Sequence, residues 1–389
     1  MQCAIVVAAY NRKELLQRVL KCVEEADYSG FKNIELVISL DRAKNHNEMF
    51  KIADEFQWNY GRKQVILHEK RLGLRKHFVF CGDLTQEYGP VIFLEDDIVV
   101  NKYYYLMANR LAEKYIGDVR IAGASLYSLS FSETAQRPFT PLQDGTDVYF
   151  CGMMSWAPVY FPGQWKGFKA WYSSLDGKEP DFEKLPADVK NWPATSFKKL
   201  HIQYMIDHQQ FFVYTRNSCA TNFSEPGEHY RHDTDKLQIS MILRDKPLNT
   251  FPDFSDSYSI YDANLELLPS VLKALQPELQ TYDFEMDLYG KKQPGDIHKK
   301  FLLTVRKSRA PLKSYGRKMV PQEMNIIYGI EGHVFVLSET KDVLFRSRSF
   351  RKLVSDVLYD IKGSTVLKIV LADIIWSISF IKSRLHKNR

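Results

Sequence analysis

"VIFLEDDIVV", residues 91–100, is an apolar run interrupted by three consecutive acids, Glu95, Asp96 and Asp97. The residues before the acids have the composition of a strand buried on both faces, as in a parallel sheet. A carboxylate at the end of such a strand is costly unless something cationic stands beside it. The stretch therefore raises a chemical question along with a structural one: which cation sits there?

The same pattern recurs upstream. "CAIVVAAYNR" (3–12), "IELVISLD" (34–41) and "KQVILHE" (63–69) are short apolar runs that end in polar residues. Between them lie segments with helical spacing. "KELLQRVLKCVEEA" (13–26) places Leu15, Leu16, Val19, Leu20 and Val23 on one face, and "HNEMFKIADEF" (46–56) and "LRKHFVFCGDLTQEY" (74–88) read the same way. Strands alternating with helices predict parallel βαβ units and an α/β fold with a mostly parallel sheet. Ligands of such sheets bind beyond the carboxyl ends of the strands. Tyr10 to Arg12, Ser39 to Arg42 and Glu95 to Asp97 should then line one crevice.

The pattern loosens after residue 100. "VRIAGAS" (119–125) predicts a strand, residues 132–147 a loop, and "FKKLHIQYMIDHQQFFVY" (197–214) a helix leading into a strand. Residues 148–171 are dense in aromatics and glycine. The βα character stops near residue 260. The expected organisation is a domain over 1–262, with halves of about 1–100 and 101–262, and a C-terminal region over 263–389.

Composition narrows the setting. The 389 residues are 45% hydrophobic and 13% aromatic, enough for two or three buried cores. The five cysteines are scattered, with no Cys-x-x-Cys spacing, and read as reduced thiols. No basic segment followed by an apolar stretch and a cleavage site opens the chain, and no run of ~18 uncharged apolar residues occurs. These features predict a cytoplasmic protein without a spanning helix. Residues 291–389 hold 21 Lys/Arg and 8 Asp/Glu, so a strongly basic end follows an acidic body. That suggests a docking surface for an anionic partner, the competing reading being a solvated basic face. Nucleic acid is not expected. The last helix, from Thr365 to Leu385, is apolar nearly all round, carries Trp376 and is followed by cations. It suits a helix lying in an anionic membrane surface, on the inner face of the membrane. The equal alternative is packing on the rest of the chain or in a homodimer.

An acid pair closing a strand in a crevice suits Mg²⁺ or Mn²⁺, which complete their shell with water and substrate phosphates. Such an ion neutralises charge on a departing diphosphate. Taken together, "VVAAYNR" (6–12), "SLD" (39–41), "LGLRKHF" (72–78), "FLEDDIVV" (93–100), "TDVYFCGMMSW" (146–156) and "NFSEPGEHY" (222–230) resemble the GT-A glycosyltransferases. The likeness is closest to inverting enzymes related to N-acetylglucosaminyltransferase I and to bacterial family 2 transferases, and covers roughly residues 1–232. It implies a nucleotide-sugar donor, most simply a UDP-sugar. It also implies a divalent metal, inversion at the anomeric carbon, and a hexose or N-acetylhexosamine moved to a glycan acceptor. A lipid-linked acceptor in surface polysaccharide synthesis would match the basic C-terminal end.

The resemblance carries residue assignments. Asp97 would ligate the metal, with His229 reaching it or the diphosphate from the far side. Asp96 would bind ribose or a metal-bound water, with Glu95 behind it. Ala8, Tyr10, Asn11 and Arg12 would line the donor. Asp41 would meet the base, although an acid there also suits a helix N-cap. Arg75 and His77 would approach the donor, although His77 equally suits a half-buried structural histidine. Trp156 and Trp165, with Trp171 nearby, would offer a sugar-stacking platform, although most tryptophans are core residues. Inversion needs one general base. The family places an acid before the histidine-bearing loop, but no acid lies between Asp188 and Asp207. Asp207 or His201 is expected to fill the role, with Glu225 or Glu228 behind them. Two other classes compete: a sugar nucleotidyltransferase, against which the absence of glycine in "AAYNRKEL" counts, and a non-catalytic glycan- or nucleotide-binding homologue.

Overall fold

The computed structural model describes residues 2–223, 225, 235, 237–243, 250–345, 365–368 and 370–375. It comprises one compact unit, Met1–Leu344, and a second, Phe345–Arg389.

The first half follows the alternating pattern closely. β1 (Ala4–Ala9), α1 (Lys13–Glu24), β2 (Leu36–Leu40), α2 (His46–Glu55), β3 (Lys63–Leu67), α3 (Gly73–Asp83), α4 (Thr85–Tyr88) and β4 (Val91–Glu95) succeed one another. The expected helix over 74–88 is two helices, interrupted at Leu84. Gly82 faces the Trp165 ring so closely that a Cβ there would lie 2.0 Å from it.

Beyond β4 come β5 (Ile98–Val100), α5 (Tyr104–Tyr115), β6 (Ile121–Ser125) and a short hairpin of β7 (Phe131–Ser132) and β8 (Arg137–Pro138) within the expected loop. They are followed by β9 (Val148–Cys151), β10 (Pro158–Tyr160), α6 (Pro162–Ser174), α7 (Ala187–Lys190), α8 (Phe197–Asp207), β11 (Phe211–Thr215), β12 (Ala220–Asn222) and β13 (Ile260–Tyr261).

Nine strands form one sheet in the order β13-β9-β11-β6-β10-β4-β1-β2-β3. β1, β2, β3, β4, β6 and β11 run in one direction, while β9, β10 and β13 oppose them. The fold is α/β, a Rossmann-like and mostly parallel sheet flanked by helices. The chain steps outward from β1 to β3 and then returns to the other side of β1 as β4. The strand order therefore reverses between β1 and β4, and ligands of open α/β sheets bind at such a reversal. Strands β1, β2 and β4 are almost wholly buried, which is why they read as continuous apolar runs.

The expected boundary at 262/263 is a change of sheet within one compact unit. A second sheet, in the order β14-β15-β17-β16, is built from β14 (Phe284–Asp287), β15 (Phe301–Thr304), β16 (Pro311–Tyr315) and β17 (Phe335–Glu339). The segments that join its strands meet the end of β13: the Tyr261 hydroxyl donates to Glu323 at 3.0 Å, and Lys292 lies 3.4 Å from Asp262. In the second unit, residues 365–368 and 370–375 are helical, with Leu367, Leu371, Ile374 and Ile375 exposed. No helix among the described residues is long and apolar enough to cross a membrane. Trp376 and the terminal cations lie outside the described residues.

Candidate functional site

β1 and β4 end side by side, with Ala8 opposite Glu95 in the ladder. The chain leaving β1 passes through Tyr10 and Asn11 to Arg12, which precedes α1. The Arg12 guanidinium closes over the acids at the end of β4. Its Nε donates to Asp96 Oδ2 at 3.2 Å, and its Nη2 donates to Asp96 Oδ1 and, at 3.2 Å, to Asp97 Oδ2. The cation beside the acid triplet is therefore a residue of the chain, in the turn between β1 and α1.

The charges are strongly perturbed. The Asp96 side chain is 5% exposed. Its burial pushes the carboxyl up to about 6, against the opposing pull of Arg12. Arg12 is desolvated too, but Asp96 and Asp97 hold its pKa above the ordinary value. Glu95 is raised mainly by burial and by Asp97, with Lys198 acting in the other direction. Lys198 stands in the first turn of α8, its Nζ 3.5 Å from Glu95 Oε1 and 5.0 Å above the Trp156 ring. One wall thus carries Arg12 and the other Lys198.

Asp97 Oδ1 is buried and has no hydrogen-bond partner. Both Asp96 oxygens are taken by Arg12. The residues present fit a hard divalent cation held by this one carboxylate oxygen, with the other ligands from phosphate and water, as Mg²⁺ and Mn²⁺ accept. They do not form a full protein cage: among the described residues no group of three or more His, Cys, Asp or Glu could hold an ion. His229 and Glu228 lie outside the described residues.

Other expected donor-side residues have different surroundings. Asp41 is buried and accepts backbone N–H groups from Arg42, Leu72 and Gly73 at 2.8, 2.7 and 2.9 Å, fastening the start of α3. The cap role is the one its contacts fill, and the helix it serves is α3 rather than α2. His77 is a correction. It lies beneath β2, with Nε2 2.8 Å from Ser39 Oγ, and burial lowers its pKa to about 4. It is a neutral packing histidine because its turn of α3 faces the sheet. Arg75 Nη1 donates to Glu179 at 2.9 Å, while its Nε and Nη2 are buried without partners. Asn11 is exposed, and its carbonyl accepts from Asn45 at 3.0 Å. Tyr10 lies under Arg71, whose guanidinium carbon is 4.8 Å from the ring centre.

The two expected bases are also corrections. His201 is buried among aromatics, 4.7 Å from the Phe168 ring and 5.6 Å from the Phe212 ring, with Nδ1 3.1 Å from Met154 Sδ. Desolvation lowers its pKa to about 3, so it is core material. Asp207 ends α8, paired with Lys184 at 2.9 Å and Gln203 at 3.0 Å. Lys198 begins the same helix at the crevice. The nine residue steps from Lys198 to Asp207 span ~14 Å at 1.5 Å per residue. β11 then starts at Phe211 opposite Ile121, the first residue of β6. Asp207 consequently sits toward the amino edge of the sheet, away from the acids.

Of the tryptophans, Trp165 is buried, and its Nε1 donates to Asp83 at 2.9 Å, so it is a core residue and not a platform. Trp171 packs against Tyr204 at 5.5 Å. Trp156 lies at the crevice, edge-on to Tyr127 at 4.9 Å and beneath Lys198. Sequence reasoning missed Lys198, although Ser196, which caps α8, places it in the first turn. It also missed Arg18, which donates to Glu225 at 2.8 Å and stacks on Phe223 at 3.7 Å.

No protein-family model matches the chain, and no curated protein is significantly similar to it. Solved structures similar to it include S. aureus TarS 1–349 in complex with UDP-GlcNAc, at 14% identity and a TM-score of 0.39, covering 59% of this chain and 60% of that one. Mannosyltransferase PcManGT from Pyrobaculum calidifontis, in complex with GDP-Man and Mn²⁺, is 11% identical with a TM-score of 0.34 over 59% of each chain. GalNAc-T7 with UDP, GalNAc and Mn²⁺ is 12% identical with a TM-score of 0.37, over 56% of this chain and 43% of that one. The chain thus spans 60% or less of these structures.

Proposed function

We propose that the chain is a GT-A glycosyltransferase that moves a hexose or N-acetylhexosamine, with inversion, from a nucleotide sugar, most simply a UDP-sugar, to a glycan acceptor. The observation that carries this reading is the acid triplet at the β1/β4 reversal, where Asp97 Oδ1 is orphaned between two cationic walls. Asp97 would hold Mn²⁺ or Mg²⁺, and the bound ion would neutralise charge on the departing diphosphate. Arg12 orients Asp96 and Asp97 and presents positive charge to the same phosphates. Lys198 does so from the α8 side, while Trp156 offers a ring face to the sugar.

Glu95 is the acid of the crevice suited to act as base. Its Oε1 is buried with Lys198 Nζ 3.5 Å away, and burial raises its proton affinity against the pull of that cation. The acceptor oxygen attacks the anomeric carbon, the bond to the diphosphate oxygen breaks, and the acceptor's proton passes to Glu95. The basic segment 291–389 and the exposed apolar helix support an acceptor at an anionic membrane surface, such as a lipid-linked glycan of surface polysaccharide synthesis.

A second reading, a non-catalytic glycan- or nucleotide-binding homologue, is favoured by the absence of any acid between Asp188 and Asp207, the segment from which Lys198 faces Glu95. Release of UDP and GDP across a panel of sugar nucleotides separates the two. Calorimetry with UDP and Mn²⁺ then checks the metal: Asp97→Ala should lose the metal-dependent part of binding. Unchanged affinity would make the motif structural.

A further inference from the structure

Asp97 is held from two directions, and both holds start from α1. Arg12, just before that helix, donates to the Asp97 side chain through Oδ2. The second hold reaches the Asp97 backbone. β5 begins at Ile98, directly after the acid triplet, and pairs with β12 in a two-stranded sheet of its own. Asn222 lies opposite Ile98, Thr221 opposite Val99 and Ala220 opposite Val100. One bond extends that ladder past its last pair: the Phe223 N–H donates to the Asp97 carbonyl at 2.8 Å.

So short a ladder is a weak element. Two strands alone are marginally stable, and the ends of an element are the first parts to open. One end of this ladder is fixed, since the Asn101 N–H donates to the Cys219 carbonyl at 2.8 Å. The other end falls on Asp97, and there Arg18 closes it. The guanidinium carbon of Arg18 lies 3.7 Å from the centre of the Phe223 ring. Its Nη1 and Nη2 donate to Glu225 Oε1 and Oε2 at 2.8 and 3.4 Å. A stacked, two-pronged guanidinium fixes the orientation of its partners, which the point charge of an ammonium does not. Arg18 is itself anchored by its helix, which buries Leu15, Leu16, Val19, Leu20 and Val23.

We propose that Arg18 is a positioning residue for the metal site. By clamping Phe223 and Glu225 it keeps the Phe223 bond to Asp97 closed, and so holds in place the carboxylate whose Oδ1 is buried without a partner. Glu225 balances the Arg18 charge, so the influence of Arg18 passes through the Phe223 backbone rather than through the field in the crevice. The inference rests on the reading of Asp97 as the metal ligand. Losing the support behind a ligand weakens metal binding ~10–100-fold. Arg12 still holds Asp97 Oδ2 when Arg18 is replaced, so the lower end of that range applies.

The test compares the wild type with Arg18→Met, which keeps the apolar stem and removes both contacts of the guanidinium. Hydrogen exchange of the full chain, read by NMR, should show the Phe223 amide exchanging several times faster, with the amides of β4 unchanged. Calorimetry with UDP and Mn²⁺ should show the metal-dependent part of UDP affinity falling ~10-fold. Affinity for UDP without metal, and the melting temperature, should be retained. Arg18→Lys, which keeps the ion pair and loses the planar stack, should fall between. Glu225→Gln, at a side chain 38% exposed, should act in the same direction, so the outcome does not hang on one variant folding. A pair that is only structural would lower the melting temperature and leave the metal coupling untouched, and that result overturns the proposal. Equal loss of UDP affinity with and without Mn²⁺ overturns it too, as does a Phe223 amide equally protected in Arg18→Met and in the wild type. A wild type with no metal-dependent UDP binding is a different failure: it removes the metal reading itself, and the positioning role with it, whatever the Arg18 variants do.

Discussion

Replacing Arg12 by Gln removes the cation that the end of β4 is built around. Asp96, 5% exposed, would remain beside Glu95 and Asp97 with no positive partner. Removing one member of a buried ion pair costs about 3–5 kcal/mol. The Arg12 side chain is 30% exposed, so the lower figure applies. Unfolding entropy of about 2.1 cal/mol/K per residue, over a unit of 344 residues, gives ~0.7 kcal/mol/K, so a loss of ~3 kcal/mol lowers Tm by ~4 °C. The deficit should depend on pH, with a definite sign. The Asp96 carboxyl is pushed up to about 6 with Arg12 present, and it rises further without it. A carboxyl raised in the folded state stabilises the fold while protonated. That contribution is complete below its unfolded value near 3.8 and is lost as pH rises through the folded value. The variant should therefore melt close to wild type at pH 5 and about 4 °C lower at pH 8, and Mn²⁺ should restore part of the difference at pH 8. Equal deficits at both pH values, or none at pH 8, would mean that Arg12 does not balance Asp96.

Glu95→Gln should lower turnover ~10²–10⁴-fold with UDP affinity retained, as expected on loss of a general base; Asp207→Asn should stay within a few fold of wild type, and the opposite result would return the role to Asp207. His201, held near 3, stabilises the fold above its unfolded value of 6.5, and that contribution is lost as pH falls, by about 2 kcal/mol between pH 6.5 and 5. Urea unfolding of His201→Phe should show a shallower acid slope over that window, with His77, held near 4, leaving a residue of it; an unchanged slope would refute the assignment. Truncation after Leu344, the end of the first compact unit, should abolish binding to anionic vesicles and leave the melting temperature unchanged. An aggregated or destabilised product would place the C-terminal helix in a protein interface.

The parallel half of the fold was legible in the sequence because β1, β2 and β4 are buried on both faces and punctuated by polar ends, a pattern that few other arrangements produce. The position of the crevice followed from the strand order. Side-chain roles were harder to read, since a residue's type does not record which way its helix faces. His77 and His201 look like chemistry in a string of letters, yet each sits on the buried face of its helix, neutral and packed. Asp41 and an acid that meets a nucleotide base look alike until the free N–H groups of α3 are placed around its carboxylate. The 262/263 boundary looked like a domain break because the βα rhythm ends there, but a second sheet continues the same compact unit through contacts such as Tyr261 to Glu323.

The ion-paired groups of the crevice also say how donor and metal should bind. Glu95, Asp96 and Asp97 face Arg12 and Lys198, three negative charges against two positive, so the set is left with one net negative charge when ionised. A nucleoside diphosphate approaching that set alone meets a like charge in a poorly solvated place, where charges interact strongly. A divalent ion held by Asp97 Oδ1 would reverse the sign to one net positive charge, and a diphosphate would then supply further ligands. Metal and donor should therefore bind as a unit. UDP affinity should rise steeply with Mn²⁺, while Mn²⁺ alone, held by one protein oxygen, should bind weakly. Calorimetry of each ligand with and without the other measures that coupling, which must be equal in both directions. UDP affinity independent of Mn²⁺ would mean that Arg12 and Lys198 carry the phosphates themselves, and that Asp97 serves only to hold Arg12 in place.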